Sequence, residues 1–203
     1  MSKIYIIRHG ETVWNTQHRF QGWHNSDLTD KGQKQAKLVG DFFRNKSIDQ
    51  IYCSPLQRCR DTLKIIQNTS LPSDLSIKYD DRLKECNYGD IDGADERLIQ
   101  TQLLLQGIDR KDPEIKFNFK FFNGESYKDQ FIRILDFIDK IELQNTRLNT
   151  LIVCHMGTMK YLSIALQHKL KIEDIYEATM WRPNNNVLII FDTVSGEVEI
   201  VEL

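Results

Sequence analysis

Five residues in this chain have types suited to group transfer, and each closely follows a short apolar run. Arg8 and His9, with Gly10 behind them, follow Lys3 to Ile7 (KIYII). Arg58 comes one helical turn beyond Ile48 to Cys53, after Ser54 and Pro55. Glu85 lies a few residues past Leu75 to Tyr79 (LSIKY), and His155, with Met156 and Gly157, directly follows Thr150 to Cys154 (TLIVC). The set fits phosphoryl transfer. Arginine offers a rigid fork of donors that matches phosphate oxygens and keeps its charge. Histidine can attack phosphorus and carry a covalent intermediate. A carboxylate can protonate a leaving oxygen and later take a proton from water. Arg58 and the residues after Gly157 also lie near expected helix N-termini, whose N–H groups favour anions.

The elements that must position these residues follow from the pattern. Uniformly apolar, β-rich runs are typical of strands buried on both faces of a parallel sheet. Ligands of such sheets bind beyond the carboxyl ends of the strands, where the five residues gather. A polar and aromatic loop is expected as far as Ser26. Thr29 or Asp30 then caps a helix whose Ala36, Val39, Gly40 and Phe43 share one face. Ser54-Pro55 starts a helix to about Gln67, with proline in its first turn. Arg82 to Gly93 reads as a loop, Ala94 to Gln106 as a helix and Gly107 to Gly124 as irregular. Tyr127, Phe131, Leu135 and Ile138 mark a helix from about Glu125 to Leu143. Further expectations are a helix over Gly157 to His168, a strand over Val187 to Phe191, and an edge strand over Glu197 to Glu202 beyond a turn at Ser195-Gly196. Strands alternating with helices imply an α/β fold, a three-layer α/β/α sandwich around a mostly parallel central sheet. Residues 1–203 read as one domain, with 94–124 as a substrate-specificity insertion.

Five segments together resemble the histidine phosphatase superfamily, which includes the cofactor-dependent phosphoglycerate mutases. They are Arg8-His9-Gly10-Glu11-Thr12 with Asn15, Ser54 to Thr62 (SPLQRCRDT), Leu83 to Gly89 (LKECNYG) with Gly93, Asn123-Gly124-Glu125-Ser126, and Cys154-His155-Met156-Gly157. They occur in the family's order and span nearly the whole chain. The resemblance implies a phosphoglycerate mutase-like fold and particular roles. His9 would be the nucleophile that becomes phosphohistidine. Arg8, Arg58 and His155 would hold the transferring phosphoryl group, and Asn15 would donate a further hydrogen bond to it. Glu85 would be the general acid and then the base. Gln21 and Gly22 would line the mouth, and Met156 would meet the substrate.

The net reaction implied is hydrolysis of a phosphate monoester. Mutase members carry a longer, more basic insertion after the acid segment, whereas thirty residues separate Gly93 from Gly124 here. A module that only binds phosphorylated partners would need neither His9 nor Glu85. Asp90 and Asp92 stand as alternative acids. His18, His24 and His168 have no partner at metal-ligand spacing; His18, His24 and the Arg110-Lys111 pair read as solvated rather than as substrate contacts, Arg60 as structural or surface, and Trp14, Trp23 and Trp181 as packing residues. No metal or other cofactor is expected. A two-metal site needs gathered acidic and histidine ligands, while the converging groups here are mostly cationic or histidine and already supply positive charge.

Composition narrows the setting. Lys and Arg number 27 against 29 Asp and Glu, a net charge of −2. That gives no global attraction to nucleic acid or to an anionic membrane, so the expected partner is a small phosphorylated substrate. Cys53, Cys59, Cys86 and Cys154 form no metal or disulfide pattern, and Cys53 and Cys154, in apolar strand-like runs, read as buried thiols. The apolar run before Arg8 is too short for a signal peptide or a membrane span. A reducing, cytoplasmic location is expected. Oligomeric state and the identity of the substrate are not legible.

Overall fold

A computed structural model describes residues 2–105, 118–141, 147–167 and 181–203 of the chain. The expectations for 107–117, including Arg110-Lys111, and for His168 fall outside them. The strands are β1 (Lys3–Arg8), β2 (Gln50–Cys53), β3 (Ile77–Tyr79), β4 (Thr150–Cys154), β5 (Val187–Asp192) and β6 (Val198–Glu202). The helices are α1 (Val13–Thr16), α2 (Asp30–Phe43), α3 (Gln57–Thr69), α4 (Glu96–Leu105), α5 (Tyr127–Lys140) and α6 (Met156–Leu166). The strands form one sheet in the order β3-β2-β4-β1-β5-β6. The pairs β1–β4, β2–β4 and β2–β3 are parallel, while β5 and β6 run antiparallel at one side.

Alternation along β1 shows why the sheet carries helices on both faces. Ile4 and Ile6 join Ile152, Cys154 and Ile189 in a core with Ile134 and Phe137 of α5 and Met159 and Leu162 of α6. Tyr5 and Ile7 join Leu151, Val153 and Leu188 in a second core with Val39 and Phe43 of α2 and Leu63 and Ile66 of α3. Each large aliphatic side chain so buried contributes about 1.5–3 kcal/mol relative to exposure. The three layers are therefore held from the middle outward.

Local signals explain most element limits. Thr29 caps α2 by accepting from the Gly32 N–H at 3.0 Å, and Ala36, Val39, Gly40 and Phe43 are all buried. Gly40 lets α2 lie against α3, since a Cβ there would come 2.6 Å from Thr69 Cβ. Several limits depart from expectation: β2 begins at Gln50, the short helix α1 lies within the expected loop, and α5 begins at Tyr127. Helix α3 begins at Gln57, not at Ser54-Pro55, because Ser54 N–H still bonds the Val153 carbonyl and prolongs the sheet. Strand β3 keeps only its last three residues. Helix α4 begins at Glu96, because Asp95 bridges to Arg19 and the Ala94 carbonyl accepts from Phe20 N–H.

A small third core, Phe20, Cys86, Ile91, Ile99, Leu103 and Phe119, ties α4 to the acid segment and to the loop before Gln21. The register brings strand ends together. Arg8 pairs with Cys154 and Cys53 with Val153, so the next residues, His9, Ser54 and His155, emerge side by side.

Candidate active site

His9 leaves the end of β1 with its N–H still bonded to the Cys154 carbonyl, 3.0 Å. Its ring is buried, and Nδ1 lies 2.8 Å from the Gly10 carbonyl. A carbonyl only accepts, so Nδ1 carries the proton and the neutral ring presents the Nε2 lone pair. Burial holds the His9 ring well below the ordinary imidazole range, and the charges of Arg58 and Arg8 push it the same way. Gly10 N–H donates to Thr62 Oγ1 at 3.0 Å, and Asn185 Nδ2 donates to the His9 carbonyl at 2.8 Å. The backbone of His9 is thereby held from α3 and from the residues before β5.

His155 stands next to it, with ring centroids 5.3 Å apart. It occupies the position before α6, fully buried, with Nε2 2.7 Å from Ser54 Oγ. Burial lowers its pKa well below 6.5, and Arg58 and His9 lower it further. Arg8 donates to the Pro183 carbonyl at 3.1 Å. Burial lowers its pKa to about 10, which leaves it charged at neutral pH. Arg58, on the first turn of α3, is nearly fully buried. It donates to the carbonyls of His24 (2.8 Å) and Gly22 (2.7 Å). The 21–24 loop is thus drawn onto this guanidinium. Asp92 holds the same loop from the other side through Gly22 N–H (2.6 Å) and His24 N–H (2.8 Å).

Gln21 is buried, and its Oε1 accepts from Thr12 Oγ1 at 2.8 Å and Asn15 Nδ2 at 3.2 Å. Asn15 belongs to a capping box with Thr12 at the start of α1. It therefore spends one amide hydrogen on Gln21, beyond the single role that the resemblance gave it. Three buried donors, Arg8 Nε, Arg58 Nε and Gln21 Nε2, have no partner among the described residues.

Glu85 is buried at the end of a short turn after β3. Its Oε1 accepts from Cys86 N–H at 3.0 Å and Gln130 Nε2 at 2.9 Å. Its Oε2 accepts from Gly157 N–H at 3.0 Å, at the start of α6. Arg133 of α5 clamps the segment by donating to the carbonyls of Arg82, Lys84 and Glu85 and pairing with Glu125 at 2.7 Å. Met156, the first residue of α6, is partly exposed beside His155.

The other carboxylates have different employment. Asp92 is spent on the 21–24 loop, and Asp90 accepts from Asn123 Nδ2 at 2.7 Å. His24 is 69% exposed at its side chain, and His18 lies exposed at φ 53. Trp23 donates to the Glu85 carbonyl at 2.9 Å, Trp14 faces Gly93, and Trp181 packs against the α5–α6 core. All four thiols are buried; burial pushes Cys59 up to about 12, so it stays protonated. Sequence reasoning missed Gln130, Thr158, Arg133, Thr62 and Asn185. Gln130 carried a usable signal, a lone amide beside Phe131 on the stripe that includes Tyr127 and Ile134.

The profile of the Histidine phosphatase superfamily (branch 1) matches residues 4–203. The chain belongs to that superfamily. A probable phosphatase of Schizosaccharomyces pombe is 28% identical over 209 residues, covering 98% of this chain and 88% of that protein. A 2,3-bisphosphoglycerate-dependent phosphoglycerate mutase of Buchnera aphidicola is 30% identical over 202 residues, covering 86% of each. The crystal structure of the alpha-ribazole phosphatase from Shigella flexneri superposes with a TM-score of 0.80 at 22% identity, covering 99% of this chain and 95% of that one. It shows the same fold. Members of the superfamily named as phosphatases and as mutases thus both resemble this enzyme. Among the described residues no helix is long and apolar enough to cross a membrane.

Proposed function

We propose that this histidine phosphatase superfamily member hydrolyses a phosphate monoester of a small molecule through phosphohistidine at His9, without a metal. The carrying observation is a buried, neutral His9 that faces the charges of Arg8 and Arg58, whose Nε atoms have no partner among the described residues. A buried donor left unsatisfied costs about 1–3 kcal/mol. A phosphoryl group would supply acceptors for these guanidiniums, and their charge would stabilise the charge spreading over its oxygens. His9 Nε2 attacks phosphorus in line, with His155 and Asn15 helping to hold the group. Glu85 protonates the leaving oxygen and then takes a proton from the water that cleaves phosphohistidine.

Hydrolysis is favoured over mutase transfer by the short segment between Gly93 and Gly124. Residues 94–124 would set substrate choice, with Gly22 and Met156 at the mouth. The likeness to the Buchnera mutase supports the second reading, phosphoryl return to a bound sugar acid. A third reading, a non-catalytic phospho-ligand module, leaves His9 and Glu85 without a purpose. Four buried free thiols support a reducing, cytoplasmic setting. A panel of phosphate esters assayed for released phosphate, with 3-phosphoglycerate isomerisation in parallel, tests the proposal. Isomerisation without phosphate release would replace it with the mutase reading.

A further inference from the structure

The carboxylate of Glu85 is not symmetric. Oε1 accepts two N–H groups, from Cys86 and from Gln130, which occupy both of its in-plane lone pairs. Among the described residues Oε2 accepts only Gly157 N–H and keeps one lone pair. Every one of these neighbours is a donor.

The orientation of Gln130 is dictated by its surroundings. Thr158 Oγ1 donates its hydrogen to the Lys84 carbonyl at 2.8 Å, so toward Gln130 it can only accept. The amide nitrogen of Gln130 lies 3.3 Å from it and supplies that hydrogen. The same nitrogen's other hydrogen goes to Glu85 Oε1. Its carbonyl oxygen is then left buried with no partner among the described residues. A flipped amide would relieve nothing, because it would set an oxygen against Glu85 Oε1 and against Thr158 Oγ1. Gln130 is itself completely buried on α5, so neither water nor exposure accounts for an amide at this place.

We infer that Gln130 is a positioning residue that confines proton transfer by Glu85 to Oε2. The inference rests on the reading of Glu85 as the acid and base. In the first step the Oε2–H bond breaks and its electron pair stays on the carboxylate. The proton goes to the leaving oxygen as that oxygen's bond to phosphorus breaks and the His9 Nε2–phosphorus bond forms. In the second step water bonds to phosphorus, its proton passes to the free lone pair of Oε2, and the phosphorus–nitrogen electron pair returns to His9. Oε1 is excluded from both steps while Gln130 and Cys86 occupy it.

The test is Gln130→Met, which keeps the length of the side chain and removes both donors. An alkyl phosphate and a nitrophenyl phosphate are compared in wild type and variant, because only the alkyl leaving group needs the proton. The expected result is a fall in kcat on the alkyl ester of about 10-fold, a part of the range spanned by general acid catalysis, with KM unchanged. The nitrophenyl bond-breaking step should change less than twofold. Thr158→Val, which removes the acceptor that orients the amide, should shift the ratio of the two esters in the same direction and decides the matter if Gln130→Met does not fold. Equal effects on both esters, or an unchanged ratio in a folded variant, would overturn the role of Gln130. Wild-type protein that turns over neither ester would instead overturn the proposed function.

Discussion

The two ring nitrogens of His9 differ: Nδ1 is tied to the Gly10 carbonyl, and Nε2 keeps the lone pair that the proposed attack on phosphorus requires. His9→Ala should abolish turnover and leave a folded protein. Brief mixing of wild-type enzyme with labelled ester should give an acid-labile, base-stable phosphoenzyme. Label recovered on another residue would remove His9 from the role. Glu85→Gln should slow an alkyl ester by on the order of 10²-fold or more in the first step, and a nitrophenyl ester only slightly. The substitution also carries a structural cost. The three groups around Glu85 are donors, so an amide must turn its own N–H toward one of them, most simply Gly157. A loss of about 1–3 kcal/mol in unfolding free energy, read from denaturant titration, should accompany the kinetic effect. Equal first-step losses on both esters would make Asp90 and Asp92 the next candidates for the acid.

At the scale of elements, the first turn of α6 and the buried face of α5 build the seat of Glu85, the proposed acid, between them. Gly157 is the point of closest approach. A Cβ there would lie 2.4 Å from Glu85 Oε1 and 3.1 Å from Gln130 Nε2. Alanine is otherwise the better helix residue, by about 1 kcal/mol in a helix interior. Gly157→Ala should nonetheless lower stability by about 1–3 kcal/mol, because the displaced carboxylate leaves buried donors unpaired and a first-turn position gains less than the interior value in propensity. Activity on alkyl esters should drop by on the order of 10²-fold, since a displaced acid contributes little. Melting curves and ester kinetics on the same preparation check both halves. Undiminished alkyl ester turnover would mean that the glycine protects something other than the acid.

For the whole molecule, a net charge of −2 coexists with a local cluster of Arg8, Arg58 and two buried histidines. Two consequences follow. The cluster's own cations stand where a metal would, so phosphate release should persist in excess chelator; loss of activity with recovery on adding Mg²⁺ or Zn²⁺ would refute the metal-free mechanism. The second concerns stability. His9 and His155 are held neutral by burial and by Arg58, with pKa values well below 6.5. The unfolded chain takes up protons near pH 6.5 that the folded chain refuses. Stability should thus be full above that value and fall as pH drops from about 6.5 toward the folded values, at up to roughly 2.7 kcal/mol per pH unit if both rings contribute. Urea titrations on either side of pH 6.5 measure the slope, and a flat profile would contradict the burial of neutral rings.

The sequence by itself determined the order of the strands, the start of α2 at Thr29 or Asp30, the apolar faces of α2 and α5, and the gathering of Arg8, His9, Arg58 and His155 at one sheet edge. These are local properties: a β-rich apolar run, a threonine before a helix, a repeat of three and four residues. The resemblance added the order of the segments and the roles expected of them. What the tertiary structure alone decided is where hydrogen bonds end. Ser54 reads as a helix start, yet its backbone completes a ladder with β4 and its hydroxyl meets His155. Asp92 reads as a spare carboxylate near the acid, yet it anchors the 21–24 loop. Gln130 breaks an apolar stripe by a single residue, and nothing in that pattern says that its amide faces Glu85 across 45 residues of chain. Periodicity records which side of an element is buried. The partner that a buried polar group finds depends on the packing of distant segments, and here that packing selects Oε2 of one carboxylate.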